Sequence, residues 1–327
     1  MKRTFIRDLE ECKRLWDLLI KPTNVSDLWD FRMCFHRHFR RKPSFMLLED
    51  SSGIVGMLPL CYVEELEAFF FFPGEVWHKK TWIEQTPFYL RDANQLEVLL
   101  SYCPARTFLR YMAIPKTTLF EDIQVDEINY QLHPSTLNFD VSVYRKRFSS
   151  KRLKAIMKTV GCFTDKEFCF HINRIEDFNF IAEMSVQQYG YDSYLYDHRF
   201  REGFRDIMLF LMERNMLRMV SLEIMGNTAA VDLGALFSGV YTVFLGATNP
   251  GFPGVAKVIN MHHIEFACDQ RVSKLDFLCG DFHWKKLWHL DANPLYQFMT
   301  PENWFEEETT QEAPDFINIS QELICQG

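Results

Sequence analysis

Long apolar runs are missing from this sequence. No stretch of about 18 uncharged apolar residues occurs, so no membrane-spanning helix is expected. The densest block, Phe69–Phe72 followed by Pro73, is far too short. A basic excess is missing too. Lys plus Arg number 36 and Asp plus Glu number 44, a net charge of −8, which argues against a nucleic-acid coat and against DNA as a partner. Paired cysteines are also missing. The nine Cys stand singly with no C-x-x-C, which fits reduced thiols in a cytoplasmic protein better than a disulfide framework. The N-terminal MKRTFIRDLEECKRLW reaches Asp8 before any apolar stretch, so no signal peptide is expected. No G-x-S-x-G, Walker loop or Rossmann fingerprint is present. His36–Arg37–His38 and His262–His263 lack the i, i+4 spacing of helical metal ligands, so no metal is expected and His262 reads as a packed residue.

What remains is a globular composition, 47% hydrophobic and 24% charged. The 31 Phe are about twice an ordinary share and supply apolar area for a large core. The length of 327 residues is about two domains' worth at roughly 150 residues each. The second half reads as β-β-β-loop-α-β. Strands are expected at Leu217–Met225, Thr228–Phe237 and Val240–Ala247, joined at Gly226–Asn227 and Ser238–Gly239. Asn249-Pro-Gly-Phe-Pro-Gly254 interrupts regular structure. A helix over Val255–Gln270 and a strand at Lys274–Cys279 follow. The first half is a weaker copy, with strands at Ser44–Glu49, Ile54–Val63 and Ala68–Phe72, a helix at Asn94–Ser101 and a strand at Thr107–Met112. Two amphipathic helices precede each meander, Arg7–Ile20 and Ser26–Phe39 in the first half, Asp177–Tyr189 and Asp197–Asn215 in the second. The pattern predicts an α/β (α+β) duplication: residues 1–145, residues 146–305, and an acidic tail over 306–327.

This order resembles the GNAT acyltransferase fold. From Leu217 to Trp288 it resembles the FemAB-like branch with its CelD-like acetyltransferase domains, which carry two GNAT-like halves. The matching residues are Ala230-Val-Asp-Leu-Gly234, Gly239-Val-Tyr241, Pro253-Gly254, Ile264-Glu265 and, most specifically, Asp276-Phe-Leu-Cys-Gly-Asp-Phe-His-Trp-Lys-Lys-Leu-Trp288. Gly53-Ile-Val-Gly-Met-Leu-Pro-Leu60 carries the likeness into the first half. The resemblance implies a cytoplasmic, bacterial-type acyltransferase acting in cell-envelope or polysaccharide synthesis. Its donor would be an acyl-CoA such as acetyl-CoA, its acceptor an amine or hydroxyl on a sugar- or peptide-like molecule. The branch also contains aminoacyl-tRNA-dependent transferases, so tRNA is the alternative donor. A non-catalytic binding protein that keeps the fold is a further alternative, because the usual pyrophosphate signature of the superfamily is absent here.

Gly251, Gly254, Val255 and Lys257 are the candidates for the donor's pyrophosphate, since small residues and a helix N-terminus turn backbone N–H groups toward an anion. Lys285 is the sharpest catalytic candidate. The resemblance gives it contact with a phosphate-bearing substrate, and a Lys so used should be replaceable by Ala with little change in melting temperature. Asp281, Asp232 and Tyr241 are further candidates for acid–base work, with Tyr296 a second proton donor. Asp232 also reads as a solvent-facing strand residue. Residues 144–158 hold seven Lys or Arg and no acid. They suit phosphates, including those of an anionic membrane surface to which the protein would bind peripherally, and equally a solvated helix face. Lys151, Arg152 and Trp284 complete the candidate substrate contacts.

Overall fold

The computed structural model describes residues 1–118, 120–164, 167–280 and 282–300. The first half begins with β1 (Lys2–Ile6), α1 (Leu9–Leu19) and α2 (Trp29–Phe39). Asp8 caps α1 by accepting from the Glu11 amide at 2.9 Å. Then come β2 (Lys42–Pro43), β3 (Phe45–Asp50), β4 (Gly53–Leu58), β5 (Leu60–Val63) and β6 (Ala68–Phe71). After the small ribbon of β7 (Val76–Trp77) and β8 (Lys80–Thr81) come β9 (Tyr89–Leu90), α3 (Leu96–Ser101) and β10 (Phe108–Met112). A long strand, β11 (Ile123–Leu132), leads through α4 (Val141–Arg145) and α5 (Ser150–Thr164) to the second half.

The second half repeats the order: β12 (Phe168–Ile172), α6 (Phe178–Tyr189), α7 (His198–Glu213), β13 (Leu217–Ile224), β14 (Asn227–Phe237), β15 (Val240–Thr248), α8 (Val255–Asp269) and β16 (Lys274–Asp276). In each half a strand, two helices and an antiparallel meander lead into a strand–helix–strand crossover. The crossover pairs are parallel: β15 with β16, and β6 with β10 through the Phe69–Thr107 bridge. The duplication expected from the sequence is present. The chain continues through α9 (His283–Leu287) and β17 (Asp291–Met299).

The division at residue 145 does not follow the sheet. The main sheet has eight strands in the order β10-β17-β11-β16-β15-β14-β13-β12. β11, from the first half, pairs with β16 of the second through Gln131↔Asp276 and Leu132↔Leu275. β17, from the second half, lies between β10 and β11 of the first. Each half lends its last strand to the other, so the two share one sheet. Neither closing strand was read from the sequence, and β1 and β12 were also missed. Among the described residues no helix is long and apolar enough to cross a membrane. The acidic tail lies outside the described residues.

The halves also meet through their second helices. Asp197 caps α7, whose stripe of Phe200, Phe204, Ile207, Met208 and Leu211 is buried, as its period requires. Phe35 of α2 sits 5.6 Å from Phe200 and 5.2 Å from Phe204, ring centre to ring centre. Gly203 lies beneath it, where a Cβ would come within 2.4 Å of the Phe35 ring. Phe31 reaches Phe244 on β15 at 5.7 Å. Much of the Phe excess is used in this joint. Truncation of Phe35 to Ala should cost about 3–5 kcal/mol. Urea unfolding followed by tryptophan emission and by far-UV circular dichroism should still show one coincident transition, because the shared sheet couples the halves; two separated transitions would show that they unfold apart.

Candidate active site

β15 and β16 run side by side only at Val240↔Lys274, Tyr241↔Leu275 and Thr242↔Asp276. Beyond that point β16 ends while β15 continues to Thr248. The β14–β15 ladder shifts register between Leu233↔Leu245 and Gly234↔Val243, which makes Phe244 a bulge residue. The two parallel strands therefore part into a wedge. Thr242, Phe244, Asp276 and Leu278 line it from the second half, and Trp82, Ile83, Glu84 and Gln85 close it from the first. The opening has a cavity volume of about 20 Å³ and is continuous with solvent.

Polar groups gather at its narrow end. Glu84 accepts the Cys279 amide with both carboxylate oxygens at 2.8 Å. Crowding away from water raises its carboxyl to about 7, with Asp276 adding in the same direction and Lys285 opposing. Asp276 is buried. Its Oδ1 accepts from Asn129 Nδ2 at 2.8 Å and from the Leu278 amide at 2.9 Å. Its Oδ2 faces Lys274 Nζ and Gln85 Nε2, both at 3.3 Å. The exchanged strand β11 supplies Asn129, so the site depends on the strand swap.

Lys285 is 3% exposed. Its ammonium donates to the carbonyls of Phe277, Leu278 and Cys279 at 2.9, 3.0 and 2.5 Å. An ammonium has three donors, so these contacts use them all. Burial lowers its pKa, while Glu84, Cys279, Asp276 and Glu127 act against that shift. The structure thus gives Lys285 a place in the framework of the turn after β16, from which a loss of stability on its removal is expected rather than an unchanged melting temperature. Trp284 packs edge-on against Phe277 at 5.7 Å, away from the wedge lining.

Asp232 and Tyr241 do come together, through a residue the sequence reading passed over. His263 Nε2 lies 2.7 Å from Asp232 Oδ2, and its Nδ1 lies 2.7 Å from the Tyr241 hydroxyl. All three are buried, and burial raises the Tyr241 hydroxyl above its ordinary range. Asp232 is therefore not a solvent-facing strand residue. A Cβ on Gly246 would fall 2.0 Å from Asp232 Oδ1, so the bare glycine makes room for the carboxylate. Tyr241 belongs to the core under α8 and Thr242 to the wedge. The Tyr–His–Asp chain thus sits behind the sheet and fastens α8 to it. His262 is packed, stacked on Phe170 at 4.0 Å. Tyr296 is buried on β17. Asp281 lies outside the described residues.

In the loop before α8, the Gly251 amide donates to Asn249 Oδ1, and those of Phe252, Val255 and Lys257 donate to carbonyls of Asn249, Phe252 and Gly254. Gly254 has φ +84° and stands at the helix N-cap. A Cβ there would meet Thr159 of α5 at 2.9 Å, so the basic helix lies against this loop. Lys151 is exposed and Arg152 half-buried at the other end of α5. Arg145 pairs with Glu265 of α8 at 2.6 Å. Cys169, His171 and Glu223 form a small cluster at the β12 edge of the sheet, three strands from β15.

Residues 153–286 match the family model for the acetyltransferase (GNAT) domain. No curated protein matches the sequence. Among solved structures, FemX aligns at TM-score 0.55 and 9% identity, over 91% of this chain and 97% of its own. A conserved protein of unknown function from Bacteroides thetaiotaomicron VPI-5482 aligns at 0.52 and 11%, over 91% and 98%. L-PGS from Bacillus licheniformis aligns at 0.51 and 9%, over 90% and 91%. At these identities the likeness is one of fold.

Two outcomes test the polar cluster. A carboxyl raised from 4.5 to about 7 contributes stability that is complete below 4.5 and lost as pH climbs through 7. The stability of Glu84→Gln relative to the native protein should therefore rise from pH 4.5 to pH 7 and then level off, measured by urea melts. Lys285→Met should lower stability by several kcal/mol, since the partnered carbonyls lose a charged donor; an unchanged melting temperature would remove the framework role.

Proposed function

We propose that this chain, a two-lobed acyltransferase of the GNAT superfamily whose residues 153–286 carry the acetyltransferase domain, moves an acyl group from a coenzyme A thioester to an amine or hydroxyl held between the lobes. The parting of β15 from β16 next to the Phe244 bulge carries this reading. A thioester lying in the wedge meets the backbone N–H groups that β15 no longer pairs with β16, and these polarise its carbonyl. The pyrophosphate is assigned to the Gly251–Lys257 turn and the start of α8, where it would take over amides that now donate within the loop; the basic helix α5 passes beside this turn at Thr159, with Lys151 and Arg152 farther along it.

Glu84 is the proposed base. It faces the wedge from the acceptor's side, and a carboxyl near 7 exchanges protons at working pH. The acceptor's lone pair attacks the thioester carbon as its proton passes to Glu84, and the C–S bond then breaks. The leaving thiolate, whose thiol has an ordinary pKa of about 8.5, takes that proton back from Glu84. Lys285 is a positioning residue: by gathering the carbonyls of 277–279 it turns the chain after β16 away from β15 and holds the wedge open. Asp232, His263 and Tyr241 hold α8 and, with it, the phosphate turn. Asp281, which follows Gly280 in sequence, is a further candidate acid. A cytoplasmic setting and a sugar- or peptide-like acceptor of the cell envelope accord with this reading.

Acyl-CoA at about 100 times its Kd should add roughly 2.7 kcal/mol of stability, read as a thermal shift across acetyl-CoA and longer acyl-CoAs. No shift with any thioester, together with salt-dependent retention of aminoacyl-tRNA on a filter, would replace the donor by aminoacyl-tRNA. The rate should rise with pH to a midpoint about 7, and Glu84→Gln should lower it about 10²–10⁴-fold and flatten that rise. A preserved pH profile in the variant would remove Glu84 from the mechanism.

A further inference from the structure

The first half has its own wedge, between β6 and β10, at the place matching the β15–β16 wedge. Phe71 and Phe72 line it at the end of β6, Phe108 and Arg110 on β10, and Arg32, Glu75, Thr81, Ile83 and Thr86 complete it. Ile83 lines both openings, so the two stand back to back across the segment from Thr81 to Thr86.

Arg32 is fully buried. Nη1 donates to the Phe72 carbonyl at 2.6 Å and faces the Thr86 hydroxyl at 3.4 Å. Nε and Nη2, which together form one edge of the guanidinium, have no partner. This protein grips carboxylates by that same edge elsewhere. Arg110 holds Asp126 through Nε at 3.1 Å and Nη2 at 2.6 Å, and Arg199 holds Asp197 through Nε at 2.9 Å and Nη2 at 2.6 Å. In Arg32 the same two atoms are buried without a hydrogen-bond partner, and the cavity that Arg32 helps to line is about 10 Å³. The nearby acids are tied elsewhere. Asp27 Oδ2 accepts from the Thr23 and Asn24 amides at 2.8 Å, although its Oδ1 also lacks a partner. Glu75 Oε1 accepts from the Trp82 and Ile83 amides at 3.1 and 2.8 Å. Neither forms an ion pair with Arg32 among the described residues. A buried cation with an unfilled bidentate edge is costly to keep, and a planar carboxylate matches that edge.

We infer that the first-half wedge binds a carboxylate on the Arg32 Nε–Nη2 edge, and that this carboxylate belongs to the acyl acceptor. The wedge then anchors the acceptor's acid group while its nucleophile lies across the Thr81–Thr86 segment, beside Glu84. The word acceptor rests on the acyl-transfer reading; the carboxylate site does not.

The indole of Trp16 faces the Arg32 guanidinium at 5.0 Å, so tryptophan emission reports on this edge. The full chain, without acyl donor, is titrated with sodium acetate, and separately with inorganic phosphate, against sodium chloride at constant ionic strength. The expected result is a saturable change with acetate and none with phosphate, weakened at least about thirtyfold in Arg32→Met. A linear or absent response in the native protein overturns the site, as does saturation by phosphate alone or an unchanged titration in Arg32→Met. The native titration decides by itself if the variant does not fold. With acetyl-CoA present, an amine bearing a carboxylate should be acylated at lower KM than its carboxylate-free counterpart; equal KM values overturn the acceptor assignment. Saturable acetate binding with no acylation of either amine would instead sink the acyl-transfer reading and leave the site standing.

Discussion

The exchange of β11 and β17 is the constraint on which the rest depends. Each lobe ends its parallel pair at a strand that needs a neighbour, and each neighbour comes from the other lobe. Backbone hydrogen bonds fix this pairing, and a slip of one residue would turn every side chain to the opposite face. The exchange therefore sets the lobes at one angle and one register. The α2–α7 joint then fills the space between the sheet faces with Phe31, Phe35, Phe200, Phe204 and Phe244. With the lobes locked, Glu84 from one of them lies 2.8 Å from the Cys279 amide of the other, and Asn129 reaches Asp276 at the same distance. A site assembled from both lobes needs this rigidity, because a displacement of about 1 Å is enough to cost much of the rate.

Several buried ionisable groups border the segment between the two openings. Glu75 and Glu84, both raised to about 7 by burial, bracket the chain that separates the two openings, and Arg32 and Lys285 face it from either side. A fold selected for stability alone would exclude such groups or pair them directly, since desolvating one charge costs several kcal/mol. Among the described residues neither Lys285 nor Arg32 forms an ion pair. Lys285 rests on carbonyls, and Arg32 keeps two buried nitrogens without a hydrogen-bond partner. Groups so placed hold their protons and charges at values that an exposed side chain cannot reach, which suits proton transfer on one side of the segment and anion capture on the other.

The sequence made the meanders and the crossover helix legible because their periodicity is clean. Leu217–Ile224, Asn227–Phe237 and Val240–Thr248 lie within about a residue of their expected limits, bounded by the Gly-containing turns that define them. The exchanged strands were hidden for physical reasons. β17 carries Pro294 opposite Ile128 in the middle of a ladder, where a missing N–H normally argues against an interior strand. β11 reads Ile-Gln-Val-Asp-Glu-Ile-Asn, too polar to announce a central strand, because Asn129 and its neighbours serve the site. Asp232 and Tyr241 were visible as oddities in apolar strands. Their partner His263 was not, since no spacing rule joins a helix residue to two strands across the sheet. Glu84 and Arg32 carried no signal at all. One lies in an irregular loop, and the other in an amphipathic helix where Arg reads as solvent-facing until packing buries it.

The two crossovers differ in the segment that joins strand to helix. In the second lobe a short turn, residues 249–254, joins β15 to the long helix α8, and the proposed donor site lies at that junction. In the first lobe the same link has grown to span residues 72–95, while the helix after it has shrunk to Leu96–Ser101. A helix of six residues has little dipole to offer an anion, so the first lobe cannot bind a pyrophosphate in that way. Its long link instead folds back as the β7–β8 ribbon and the wall that carries Glu75, Ile83, Glu84 and Thr86. That segment stands between the two openings, with Ile83 lining both.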